Sequence, residues 1–132
     1  MSEQDADVVR SAYKAFNEQD IPALMAAFDP EIRWHQTGRS VLAGDYDGVE
    51  AVLQFFGRVG ETSDGTFRAD LQDVASGDGE TIAHHVGRAE ARGRTLEDHN
   101  VLVVRMAGGR MAEVWEHHRD PYEVDEFSGL RG

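Results

Sequence analysis

The chain has 132 residues, no cysteine and a formal charge of −12 with its histidines neutral. That length suits one domain around one core, and the missing thiols exclude disulfides and thiolate chemistry. The acidity argues against nucleic acid and anionic lipid as partners, since both need a basic footprint.

Met1-Ser2-Glu3-Gln4-Asp5 is acidic with no apolar run behind it, so it does not read as a secretory leader. No window approaches the roughly 18 apolar residues of a membrane span, and the expectation is a cytoplasmic protein. From about Asp5 to Gln19, Val8, Val9, Ala12 and Phe16 fall on one face of a helix, with Tyr13 alongside. A second, short helix follows Asp20, an N-cap candidate with Pro22 in the first turn. Ile21, Leu24, Met25 and Phe28 form its apolar side, and Asp29-Pro30 stops it.

Glu31 to Thr37 reads as a first strand with Ile32 and Trp34 on one face and His35 on the other. Residues 38–44 read as a loop. Asp47 with Glu50 resembles a capping box opening a third helix, along which Val49, Val52, Leu53, Phe56 and Val59 recur, with Phe55 beside that stripe and Gly60 as a stop.

The remainder is β. Phe67, Ala69 and Leu71 alternate with polar residues, and Ser76-Gly77-Asp78-Gly79 is a turn. The strand from about Thr81 to Arg92 carries Ile82, His84, Val86 and Arg88 on one face. Ala83, His85, Gly87, Ala89 and Ala91 form a small-residue face on the other. Val101 to Val104 and Met111 to Glu116, joined through Ala107-Gly108-Gly109, read as a hairpin. Asp98-His99-Asn100 leads into it and Glu116-His117-His118-Arg119-Asp120 leads out. That is the pattern of a sheet with one end packed and the other lining a cavity. Pro121 to Phe127 reads as a short ordered segment, with 128–132 prone to fray. Helices followed by a strand meander give an α+β class, with the helices packed on one face of a curved antiparallel sheet.

This arrangement resembles the SnoaL-like and ketosteroid-isomerase-like proteins of the nuclear transport factor 2-like superfamily. The residues that carry the resemblance are Asp20-Ile21-Pro22-Ala23-Leu24, Trp34-His35, the stretch from Gly44 to Phe56, Gly109 to Trp115, Asp120 and Asp125-Glu126-Phe127. The resemblance implies a cone, the cystatin-like α+β barrel, with three N-terminal helices on the sheet. It also implies an apolar pocket for a small molecule and a homodimer formed through the sheet. Fold does not set function in such a superfamily, so chemistry has to come from the pocket.

Ketosteroid isomerase works with an Asp base and an oxyanion pair of Tyr and protonated Asp. Matching those positions here gives His35, Ala12 beside Tyr13, and Leu102, so steroid isomerisation by that route is not expected. What remains is a set of imidazoles able to act as acid or base near neutral pH. His35, expected to face inward, is the candidate general base, with Asn100 and His118 as further catalytic candidates. Tyr13, Phe16, Phe55, His85, Leu102 and Glu116 are the candidate ligand contacts, and Ala83, Gly87 and Ala89 leave room beside His85. His84, His99 and His117 face solvent or a dimer surface. The adjacent pairs His84-His85 and His117-His118 point to opposite faces, so no metal site is expected. No glycine-rich nucleotide loop or Gly-x-Ser-x-Gly elbow is present, and no cofactor is expected. The two readings are a cofactor-free acid–base enzyme of isomerase, cyclase or hydratase type, and a non-catalytic ligand-binding, dimerisation or partner-binding module.

Overall fold

The computed structural model describes residues 2–130. Its elements in chain order are α1 (Ser2–Glu18), α2 (Ile21–Ala27), β1 (Phe28–Gln36), β2 (Gly44–Asp47), α3 (Val49–Thr62), β3 (Arg68–Ser76), β4 (Glu80–Ala91), β5 (Arg94–Ala107), β6 (Arg110–His118) and α4 (Pro121–Ser128). The strands form one six-stranded sheet in the order β2-β1-β6-β5-β4-β3. The sheet is open, with β2 and β3 as its edges, so the cone is not a closed barrel. Every pairing is antiparallel except β1 with β6, a parallel contact between strands at opposite ends of the chain. Register shifts between Leu71 and Asp73 and between Arg105 and Met106 mark bulges, which bend a sheet and increase its twist.

Local chemistry explains the helix starts. The Asp20 carboxylate accepts from the Ala23 amide at 3.2 Å, with Pro22 in the first turn of α2. Asp120 does the same for α4, accepting from the Tyr122 amide at 3.1 Å ahead of Pro121 and its helix. The capping box expected at Asp47 does not form. Asp47 belongs to β2, where it lies opposite Arg33 and accepts from its guanidinium at 3.4 Å. Gly48 takes the N-cap position of α3 with φ at 92° and no side-chain cap bond, a backbone conformation that glycine tolerates. A strand therefore begins at Gly44, where the predicted loop ends, and fills the interval before α3.

The helices fill the concave side. Val9, Ala12 and Ala15 of α1, Leu24 of α2 and Val52 and Phe55 of α3 bury against Ile32, Trp34, Ala83, Leu102, Val104 and Val114 of the sheet. Phe16, Phe28, Trp34 and Phe56 meet through tilted or edge-on ring contacts. The small-residue face of β4 does leave room, but Phe67 takes part of it. A Cβ at Gly87 would stand 2.9 Å from the Phe67 ring. The C-terminal segment is a helix, held by the Arg92 guanidinium on the Phe127 carbonyl and by Asp125 accepting from the Arg39 amide at 2.9 Å. Ser128 ends α4 and Leu130 bridges to Ser40, so the fraying expected over 128–132 does not extend to these. Arg131 and Gly132 lie outside the described residues. No helix among the described residues is long and apolar enough to cross a membrane.

Candidate functional site

The concave side holds a cavity of about 100 Å³ that opens to solvent. Its walls are mostly aromatic and aliphatic, contributed by all four helices and by strands β1 and β3 to β6. One region is polar, and sheet register builds it. His85, Asn100 and His118 stand opposite one another across β4, β5 and β6. Asp98 precedes Asn100 by two residues and so shares its face. Glu116 shares the face of His118 for the same reason, and Gln36 reaches in from β1, where it follows Trp34 by two residues.

These groups hydrogen-bond to one another in a definite sense. The two nitrogens of His118 face two acceptors, with Nδ1 2.8 Å from Asp98 Oδ2 and Nε2 2.8 Å from Gln36 Oε1. With the Gln36 amide oxygen turned toward it the ring has an acceptor at each nitrogen, the arrangement that favours the doubly protonated imidazolium. Burial opposes that charge, but the bond to Asp98 and the fields of Glu116 and Asp98 overcome it and raise the His118 pKa above its usual 6.5. The pair is buried, with 2% of the His118 side chain and 5% of the Asp98 side chain exposed. Glu116 faces donors only: Trp34 Nε1 gives to Oε2 at 2.5 Å and Asn100 Nδ2 gives to Oε1 at 2.7 Å. Burial, the largest influence, holds its pKa above the usual carboxylate range, with His118 at 3.7 Å and the two donors offsetting part of that rise.

Beside this network the Tyr13 hydroxyl meets His85 Nδ1 at 2.6 Å. Burial, and then the charge of Glu116, hold the phenol well above its usual range, so it stays protonated. Burial lowers the His85 pKa to about 4, so that ring stays neutral. The unfolded ring takes a proton first, so the stability His85 supplies is fully present above pH 6.5 and is lost as the pH falls toward 4. The wild type should therefore lose about 3 kcal/mol relative to His85→Gln between pH 7 and pH 4, by urea titration. A constant difference would contradict the neutral buried ring.

His35 is not in the cavity. The alternation expected along β1 holds, but Ile32 and Trp34 take the inner side, which turns His35 to the outer face of the sheet. There its Nδ1 lies 2.7 Å from Asp45 and its Nε2 2.6 Å from Glu113, with the ring stacked on Trp115. Those carboxylates raise its pKa against the desolvation that lowers it. The inward orientation expected of it is thereby overturned, and with these two bonds His35 links β1, β2 and β6. The other candidates do line the cavity. Tyr13, Phe16 and Phe55 come from the helices, and His85, Asn100, Leu102, Glu116 and His118 from the sheet. Asp98 and Gln36 were missed, though their parity with Asn100 and with Trp34 was a usable signal. His84 and His99 stack on the outer face at 5.6 Å between ring centres, and His117 is exposed.

Comparison with known proteins agrees with this architecture. A family model described as a SnoaL-like domain matches residues 9–114. The uncharacterized protein Rv0034 of Mycobacterium tuberculosis is 34% identical over 124 residues, which span 93% of this chain and 95% of that one. The structure of Bal32a, from a soil-derived mobile gene cassette, superposes with a TM-score of 0.93 at 40% identity, covering 96% of this chain and 98% of that one. IdmH of Streptomyces antibioticus, a candidate polyketide cyclase, shares the fold at 20% identity with a TM-score of 0.75, covering 92% of this chain and 96% of that one. Other structures of this shape are described as cystatin-like and nuclear transport factor 2-like.

Proposed function

We propose, for a chain that belongs to the SnoaL-like domain family, that the cavity takes up an apolar small molecule and that His118 transfers a proton to it. The family and a fold neighbour described as a candidate polyketide cyclase support a ligand-binding or cyclase-type function in general. The observation that carries the finer reading is the placement of His118, which lines an apolar cavity with an acceptor at each ring nitrogen, Asp98 and Gln36. A buried acid of this kind is costly to keep and is useful where a substrate oxygen or double bond must be protonated.

In this reading Asp98 keeps the ring charged and fixes its orientation. Gln36 holds the Nε2 proton until a substrate atom displaces the amide oxygen. Once protonated, the substrate is primed for isomerisation, cyclisation or hydration, and the apolar wall limits competing water. Asn100 and Glu116 orient what enters.

An enolisable apolar ketone tests the reading without knowledge of the natural substrate. The protein should speed exchange of the α-protons of 2-tetralone in D2O above the buffer rate, followed by proton NMR. His118→Gln, which keeps a donor toward Asp98 but has no proton to give, should reduce that acceleration by about 100-fold. The acid form is required, so the acceleration should be present below the raised His118 pKa and lost as pH rises through it. Binding of 2-tetralone without acceleration would favour the non-catalytic ligand-binding reading.

A further inference from the structure

The charge of the cavity lining is unbalanced. Asp98 and His118 neutralise each other at 2.8 Å. His85 is held neutral by burial. The carboxylate of Glu116 then has no cation of its own, because no Arg or Lys lines the cavity among the described residues. Its nearest positive group is His118 at 3.7 Å, already bound at both nitrogens.

Glu116 is 7% exposed, yet its oxygens are not saturated. A carboxylate offers about four lone-pair sites, and Trp34 and Asn100 occupy two of them. A second polar atom is also unpartnered. His85 is 6% exposed and lines the cavity, but only its Nδ1 is engaged, by Tyr13. Its Nε2 has no hydrogen bond among the described residues, and no fully buried side-chain nitrogen or oxygen there lacks a partner, so that atom opens onto the cavity.

The surrounding wall has its own preference. Phe16, Phe28, Trp34, Phe55, Phe56 and Phe67 line the cavity. Aromatic faces are negative and attract a cation more than they attract an anion. An anionic ligand would meet Glu116, Asp98 and these faces with no guanidinium or ammonium to receive it. A neutral ligand would leave the Glu116 charge uncompensated in an apolar space, the costly case for a buried carboxylate.

We infer that the ligand of this cavity is an apolar molecule bearing a protonated amine, and that Glu116 is the group that receives the ammonium. The ammonium N–H groups donate to the open lone pairs of Glu116, and the hydrocarbon body lies among the aromatic rings. This inference rests on the reading of the cavity as a site for an apolar small molecule, and adds the charge of that molecule.

Three probes with one hydrocarbon body separate the possibilities: 2-naphthylmethylammonium, 2-naphthalenemethanol and 2-naphthoate. Each is titrated calorimetrically into the full chain at pH 7. The ammonium should bind at least about tenfold more tightly than the alcohol, as one charge-assisted hydrogen bond allows, and the naphthoate most weakly. Glu116→Gln should bring the ammonium to within about threefold of the alcohol, which still binds. Alcohol or naphthoate binding as tightly as the ammonium overturns the inference and leaves the apolar-cavity reading standing. Failure of all three to bind overturns both. Should Glu116→Gln not fold, the ranking on the wild type decides alone.

Discussion

Asp98→Ala is expected to destabilise the protein by about 3–5 kcal/mol at pH 7, one of the two largest single-residue effects foreseen here. The reason is the charge it strands rather than the contact it removes. The His118 side chain is 2% exposed, and the Asp98 carboxylate 2.8 Å from Nδ1 favours its charged form. Without that acceptor the ring must either remain a buried cation or release its proton and lose the N–H that served Asp98 or Gln36. The double variant Asp98→Ala/His118→Leu removes both charges together and should recover most of the loss, since apolar replacement of a buried pair is often near neutral. Urea denaturation of the wild type, both single variants and the double variant gives the coupling energy directly. Additive losses would mean that the two side chains do not act as a pair. The double variant should also fail to accelerate 2-tetralone exchange, because stability and proton transfer depend on His118 for different reasons.

Phe28→Ala should cost a comparable ~3–5 kcal/mol, the usual range for an aromatic removed from a core. Phe28 is 1% exposed and joins α2 to β1. Its ring centre lies 6.1 Å from that of Trp34 and 6.2 Å from that of Phe56. It also lines the cavity, so the vacated space becomes continuous with the site. Two readouts follow. Thermal or urea denaturation should show the lost packing, and 2-naphthalenemethanol should bind more weakly because one wall no longer touches it. Unchanged stability would mean that neighbouring side chains collapse into the gap, and unchanged affinity that the probe sits elsewhere in the cavity.

Local patterning along the chain was enough to mark most of the elements and their apolar faces. Helical spacing marked α1 and α3, Asp20 and Pro22 marked the start of α2, and alternation marked β4, β5 and β6, because each of these signals is local. Residue order then carried the family resemblance and, with it, the cone. Parity along β4, β5 and β6 was enough to place His85, Asn100, Leu102, Glu116 and His118 on one face.

Only the tertiary structure decided which face of β1 is inside. Parity relates His35 to Trp34 but cannot say which of them the helices cover. Trp34 is inside because its ring packs on Phe28, Phe55 and Phe56 and its indole N–H reaches Glu116 across 82 residues of chain. His35 is then left to two carboxylates on the outer face. Asp98 and Gln36 were not singled out as site residues for a related reason: each sits in a polar stretch where nothing local marks it, until β1, β5 and β6 bring both to one imidazole. The same holds for Asp47, an ordinary capping residue by sequence that pairing with Arg33 keeps in a strand. Propensity and periodicity act over a few residues, whereas the charge state of His118 and the unbalanced carboxylate of Glu116 arise from neighbours that only folding supplies.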